Sequence, residues 1–310
     1  MYKDLKIASL IPCYNEEANI ERVIETMPDF VDYLIVVNDG SNDNTAEVVN
    51  SCLASRVILI DREENKGLGY TLCEAQKRAL ETDADIMVVM AGDGQMLPEH
   101  LPTLLDALID GDYDFAKGNR FYYSAPHVGM PAYRVFGNIV LTFLTKLATG
   151  YWSIFDPQNG YTAMRRAMSE RIDWDDVATD YSYENDVLLH LALNRARVKD
   201  VDIPAYYGDE TSTIKLSKTV PSLLRTLRKS TWKRLWVLYV AQSFSPITLF
   251  ILNGFVLLLF GILFGAWSMW QVWGVAPVSP AKAVLTAITT MTGIQCLIAA
   301  LVLDIINEPK

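Results

Sequence analysis

Cysteine and histidine are scarce in this chain of 310 residues. Its four cysteines, Cys13, Cys52, Cys73 and Cys296, show no paired spacing. That argues against a disulfide framework or a zinc site and leaves reduced thiols as the expectation. The three histidines, His100, His127 and His190, are scattered, so they read as surface or packing residues rather than metal ligands. Positive charge is also in deficit: the net charge is −10, which argues against a general nucleic-acid binder. No secretory leader is expected, because Asp4 and Lys6 interrupt the N-terminus and the apolar run after them is too short. Self-similarity at a period of about 20–50 residues, the mark of a solenoid, is missing too.

Charge of either sign is absent from two stretches, 247–270 and 283–303. Each is long enough to cross a hydrocarbon layer of about 30 Å at about 1.5 Å per residue. Trp267, Trp270 and Trp273 gather at one end, as an interfacial belt does. Basic charge, in turn, is concentrated just before the first stretch. Between Thr211 and Pro246 stand Lys215, Lys218, Arg225, Arg228, Lys229, Lys233 and Arg234, with no acidic residue among them. Pro221 to Tyr239 reads as an amphipathic helix with Leu223, Leu224, Leu227 and Leu235 on one face and Arg225, Arg228, Lys229 and Lys233 on another. Such a helix lies on an anionic membrane surface. By the positive-inside rule, the polar N-terminal region is cytoplasmic, the short connection is outside, and the tail returns inside. A buried helical hairpin in a soluble protein is the alternative.

The N-terminal region alternates short apolar runs with amphipathic stretches. Strands are expected at Ile7–Ile11, Tyr33–Val37, Val57–Ile60 and in the run Met87–Met90, with helices over about 18–27, after Asn42–Asn44, and through Leu80. Alternation of this kind implies parallel pairing with right-handed crossovers, hence an α/β fold whose polar loops share one sheet edge. The most informative loop is Gly92-Asp93-Gly94-Gln95. Asp93 and Gln95 carry hard oxygen donors two residues apart, and an aspartate with one further oxygen ligand plus phosphates and water suits Mg²⁺ or Mn²⁺. Asp39 stands where a strand gives way to a helix: it can accept hydrogen bonds from a ribose or a base imide, or, with Ser41, simply cap the helix. Tyr14 can flank a ring and Glu16 can accept from it. Lys66 is either a ligand to an anion or a solvated loop lysine.

Four motifs then occur in order: Pro12-Cys13-Tyr14-Asn15-Glu16, Asn38-Asp39-Gly40-Ser41, Asn65-Lys66-Gly67 and Gly92-Asp93-Gly94-Gln95. The series resembles the family 2 glycosyltransferases, and more narrowly dolichyl-phosphate mannose synthase and the bacterial polyprenyl-phosphate glycosyltransferases. The resemblance covers nearly the whole chain. It implies a GT-A fold: a mostly parallel Rossmann-like sheet with helices on both faces, here followed by the amphipathic helix and a two-helix transmembrane hairpin. It also implies nucleotide-sugar binding by Pro12, Tyr14, Glu16, Asp39 and Ser41, with a divalent metal at Asp93 and Gln95. Many such enzymes carry Asp-x-Asp at the metal loop. Here Ala91 takes the first place, so more of the coordination falls to diphosphate and water.

Beyond that loop a helix is expected to Leu108 and a strand over Tyr113–Lys117, ending at Gly118-Asn119-Arg120. Arg120 and Arg134 have the planar forks that grip phosphate, or that form surface ion pairs. Asn138 lies one helical turn past Arg134. The resemblance assigns these three to the lipid phosphate. The helix over 135–147 is apolar on more than one stripe, and Trp152 and Phe155 follow it. Core packing and contact with the membrane interface both account for it. The resemblance places Asp156 in the active site, where it would position substrate or act through its charge. Glu184 and Asp186 open a later helix, as first-turn carboxylates do. Family members have a basic mobile loop after the last strand, expected at Val198–Ile203; Ser212 and Lys215 are its counterparts, closing over the diphosphate.

The chain thus divides into a cytoplasmic catalytic domain, 1–216; the juxtamembrane helix, 217–245; two membrane helices within 246–304; and a tail, 305–310. The expected activity is that of a multi-pass inner-membrane hexosyltransferase moving sugar from a nucleotide-diphosphate donor, a UDP-sugar ahead of GDP-mannose, to undecaprenyl or dolichyl phosphate. Anionic lipids are expected partners, and pairing of the membrane helices would give a homo-oligomer. A processive polysaccharide synthase is the weaker alternative, since no Gln-x-x-Arg-Trp motif is present. The other alternative is a silent nucleotide-sugar-binding scaffold, for which Ala91 is the support.

Overall fold

The computed structural model describes residues 1–52, 55–120, 132–204, 216–273 and 277–309; the side chains of 132–138 and 216–220 lie outside that description. Met1–Thr231 forms one compact unit and Trp232–Glu308 a second.

The first unit is a seven-stranded sheet. Its strands are β1 (Ile7–Cys13), β2 (Tyr33–Asn38), β3 (Val57–Asp61), β4 (Ile86–Val89), β5 (Phe115–Asn119), β6 (Thr162–Arg165) and β7 (Val198–Asp202), in the order β3-β2-β1-β4-β6-β5-β7. All neighbours pair in parallel except β6, which is antiparallel to both β4 and β5. β1 and β4 are buried on both faces, which is why their sequences are continuous apolar runs rather than alternating ones.

Helices cover both faces. Ile20, Val23 and Ile24 of α1 (Ile20–Glu25), Val49 of α2 (Thr45–Ser51) and Leu101, Leu104, Leu105 and Leu108 of α4 (Leu101–Ile109) pack on the face that takes Ile7 and Ile11 of β1. Ala8 and Leu10 point the other way, into a core with α3 (Leu68–Leu80), α6 (Arg166–Ser169) and α7 (Tyr183–Leu193). A short 3-10 turn, Pro98–His100, precedes α4.

Two expectations are corrected. The strand placed at Tyr113–Lys117 runs two residues later, so Gly118 and Asn119 belong to it, and a strand not expected at all, β6, lies between β4 and β5. Its four residues, Thr-Ala-Met-Arg, are too few to show a period.

The long helix α5 (Ala132–Thr149) and α8 (Leu216–Arg234) belong largely to the same unit. Leu223 and Leu227 of α8 are buried with Ala148, against Leu141 and Leu144 of α5. The leucine stripe expected to face lipid is therefore divided: Leu223 and Leu227 face protein, while Leu224 is exposed. The core reading of α5 holds for one side of the helix only, since Leu141 and Leu144 pack against the buried cluster while Ile139, Val140 and Phe143 are exposed.

The second unit holds a π-helical segment, Leu235–Ala241, and two long helices, α9 (Pro246–Gln271) and α10 (Pro280–Ile306). Both are long and apolar enough to cross a membrane, and little of either is buried. They pack closely because small residues meet: a Cβ on Gly261 would lie 2.3 Å from Thr290 Oγ1 and 2.9 Å from the Thr290 nitrogen. Phe255, Leu259, Ile262 and Leu263 of α9 and Val284, Ile288, Met291 and Ile298 of α10 face outward. At the far end of α10, Asp304 is buried and accepts from both Nη1 and Nη2 of Arg234, at 2.7 and 3.0 Å, and from the Tyr239 hydroxyl. Arg234, one of the seven basic residues before α9, is thus a buried partner of Asp304.

Candidate active site

The carboxyl ends of β1, β2, β3 and β4 lie side by side, and their loops are laced together. Gly92 donates to the Pro12 carbonyl at 3.0 Å, joining the fourth loop to the first. The first and second loops interlock: Asn15 N donates to Ser41 Oγ at 2.9 Å, Asn42 N to Asn15 Oδ1 at 2.8 Å, and Glu16 N to Thr45 Oγ1 at 2.9 Å. Ser41 in turn donates to Asn38, and Glu16 accepts from Asn19 at 3.0 Å. Pro12 is buried beneath this lattice, while Tyr14 keeps an exposed ring. Cys13 is sealed in as well, and burial pushes its thiol up to about 12, so it is inert at neutral pH. The N-cap residue of α2 is Asn44, and the Asp43 carboxylate before it accepts from Thr45 N at 3.1 Å, so neither Asp39 nor Ser41 caps the helix.

Asp39 has a different task. Its Oδ1 accepts from Lys66 N at 2.9 Å and from Arg62 Nη1 at 2.8 Å, and its Oδ2 accepts from Gly67 N at 2.8 Å. The carboxylate fixes the third loop against the second. Gly40 makes room for this contact: its φ is +67°, and a Cβ there would lie 2.6 Å from Asn65 N. Oδ2 retains acceptor capacity toward a ligand. Arg62 escaped the sequence reading, being one arginine after a strand with no motif around it. It also grips Glu74 through Nε at 2.6 Å and lies over the Tyr70 ring at 4.5 Å. Lys66 stacks on the same ring at 4.9 Å.

In the fourth loop, Gln95 N donates to Asp93 Oδ1 at 2.9 Å, which orients the half-buried carboxylate. One oriented carboxylate and one amide oxygen fit a magnesium-type ion that keeps phosphate and water ligands. Among the described residues there is no cluster of three or more metal-binding side chains, in keeping with Ala91 at the place of a second aspartate.

The other half of the edge carries Asp156, 1 % exposed. It takes a bidentate grip from Arg120, Nε to Oδ2 at 2.7 Å and Nη2 to Oδ1 at 3.0 Å. The structure thus joins two residues expected in separate roles. Arg134 and Asn138 lie on α5 with side chains outside the described set, and Ser212 and Lys215 lie outside the described residues altogether. Asp186 has a packing role, accepting from Ala178 N at 2.8 Å. Glu184 is raised by burial, the nearby Lys117 ammonium opposing the rise. Asp200, whose Oδ2 accepts from Phe155 N at 2.7 Å, is pushed up to about 6 by burial.

Residues 9–173, more than half of the chain, match the model of glycosyl transferase family 2. The chain belongs to that family. It is a glycosyltransferase, with a GT-A-like sheet. Among relatives of this family 2 chain is the UDP-N-acetylglucosamine–dolichyl-phosphate N-acetylglucosaminyltransferase of Methanococcus voltae, 29% identical over 66% of this chain and 88% of its own length. The dolichol-phosphate mannosyltransferase of Pyrococcus furiosus is 28% identical over 66% of this chain, but over only 57% of its own length. The undecaprenyl-phosphate mannosyltransferase of Micrococcus luteus is 26% identical over 64% and 83%. In fold, the chain is similar to glucosyl-3-phosphoglycerate synthase from Mycobacterium tuberculosis, solved with Mn²⁺ and UDP, with a TM-score of 0.55 and 22% identity over 74% of this chain and 80% of that one.

Proposed function

We propose that this family 2 chain transfers a sugar from a nucleoside-diphosphate donor, a UDP-sugar ahead of GDP-mannose, to a polyprenyl phosphate. The observation that carries the reading is one chain holding both a donor-type sheet edge and two helices whose apolar sides are bare. Three of the relatives named above act, by name, on dolichyl or undecaprenyl phosphate. Tyr14 would flank the base, and Asp39, Glu16 and Ser41 would order the loops around the nucleoside. Asp93 and Gln95 would hold Mg²⁺ or Mn²⁺, whose charge would offset that of the diphosphate.

The acceptor phosphate is anionic at neutral pH, so no proton has to be removed before it attacks. Its oxygen forms a bond to the anomeric carbon from the face opposite the donor. The bond from that carbon to the diphosphate oxygen breaks, the electron pair leaves with the nucleoside diphosphate, and the centre inverts. Arg134, Asn138 and the outward side of Arg120 would receive the lipid phosphate. Asp156, held by Arg120, would orient the reacting groups. Ser212 and Lys215 would close over the leaving diphosphate. The basic residues before α9 support a cytoplasmic catalytic unit in a multi-pass inner-membrane protein, attracted to anionic lipid.

The test is nucleoside diphosphate release by the purified full chain from a panel of donors, with and without undecaprenyl phosphate. Release that requires the lipid is expected. Release with water alone, or with no donor, would refute the reading.

A further inference from the structure

A lysine inside a sheet is costly unless something holds it there. Lys117 of β5 is 1 % exposed and points into the core shared with α3 and α7, beside Val89, Thr162 and Gln76. Its ammonium donates to the carbonyl of Asn159, in the turn that follows Asp156. That turn is fastened to β5 at further points: Asn159 Nδ2 donates to the Gly118 carbonyl at 2.8 Å, and Gly118 N donates to the Tyr161 carbonyl at 2.9 Å. Inside the turn, Tyr161 N donates to Asn159 Oδ1 at 3.0 Å, and Asn159 N to the Asp156 carbonyl at 3.2 Å. Asp156 therefore has two supports. Arg120 holds its carboxylate, and Lys117 holds the backbone behind it.

The charges around Lys117 are mostly of one sign. It faces Asp156 from the turn, Glu184 from α7 and Asp200 from β7, with Arg120, the residue just after its own strand, as the other cation. Tyr183 of α7 lines the same cavity and is held neutral by burial. Asp200 Oδ1 is buried without a partner among the described residues. Three carboxylates so enclosed repel one another, and a central ammonium lowers that repulsion.

We propose that Lys117 is a positioning residue for catalysis: its charge clamps the 156–160 turn to β5 and offsets the carboxylates packed around it, so that Asp156 stays in place. The catalytic half of this rests on the glycosyl-transfer reading above; the clamp does not. Burial lowers the Lys117 ammonium to about 8, so the clamp weakens as pH rises through that value. A neutral amine donates a weaker bond and no longer offsets the carboxylates. An arginine keeps its charge.

The experiment is hydrogen exchange of the full chain in detergent micelles at about pH 7 and about pH 9, read on peptides covering 156–161 and corrected with an unstructured peptide. Wild type, Lys117→Arg and Lys117→Met are compared. Wild type is expected to lose protection about tenfold at the higher pH, and Lys117→Met at both. Lys117→Arg, if folded, keeps its protection. Equal protection of wild type at the two pH values overturns the clamp, as does protection in Lys117→Met equal to that of wild type. In turnover, kcat should fall on the basic side while the donor KM holds, with the limb moved upward in Lys117→Arg. A wild type that turns over no donor defeats the transfer reading and leaves the exchange result to decide the clamp.

Discussion

Arg62 ties Asp39, Glu74 and Tyr70 into one unit, and through Asp39 it reaches the backbone of Lys66 and Gly67. Its side chain and that of Asp39 are both nearly closed to solvent. Breaking such a pair leaves one buried charge unpaired, at a cost of about 3 kcal/mol. Arg62→Ala is therefore expected to lower unfolding stability by that order and to weaken nucleoside diphosphate binding in a titration; unchanged values of both would show that the third loop needs no anchor. In the proposed reaction Asp93 acts at the chemistry itself. Asp93→Ala should lower turnover by about two to three orders of magnitude, the scale of one lost electrostatic stabiliser, with the melting curve unmoved. Asp200 supplies the pH argument. Its folded value, about 6, stands above the ordinary aspartate value, so the fold favours the protonated form. Its contribution is fully present below the unfolded value and is lost as pH rises through about 6. Asp200→Asn keeps an acceptor for Phe155 N and should flatten the fall in stability between about pH 4 and about pH 6. A denaturant series across that range checks it, and an unchanged slope would contradict it. At this scale the sequence announced Asp93 and Asp39 through their glycine-flanked loops. It was silent on Arg62, and on the Arg120–Asp156 pair, because partners far apart in the chain leave no local pattern.

Among the elements, strands buried on both faces and helices with one apolar face were legible, since their hydrophobic period is set by the layer they occupy. β6 was not: it is short, antiparallel, and follows a polar turn. The bounds of β5 were misplaced because Tyr113 has the look of a strand residue, while Gly118 and Asn119, residues typical of turns, do pair with β7. The end of α10 shows the same limit. Asp304 lies far in sequence from Arg234 and Tyr239, yet the three form one buried cluster. Asp304→Ala should destabilise the second unit by about 3–5 kcal/mol, measured by unfolding in detergent, because Arg234 is left alone. The paired change Arg234→Met with Asp304→Leu should recover much of that loss. Equal stability of the single variant and wild type would show the cluster to be idle.

For the molecule as a whole, the proposed reading joins a glycosyltransferase sheet and a pair of apolar helices in one chain to one kind of acceptor: a phosphate fixed in the membrane by its own tail. In the first unit Ile139, Val140 and Phe143 of α5 are exposed, and in the second Trp232 and Trp236 are exposed. The protein should stay with membranes washed at high salt and leave only with detergent, as fractionation would show. The central claim is tested most directly by following labelled sugar from a nucleotide donor into lipid, using the purified full chain, a divalent metal and undecaprenyl phosphate. The label should enter the organic phase as a sugar phosphate of inverted anomeric configuration. A label that stays in the aqueous phase with every donor, or a lipid product that retains its configuration, would contradict the account.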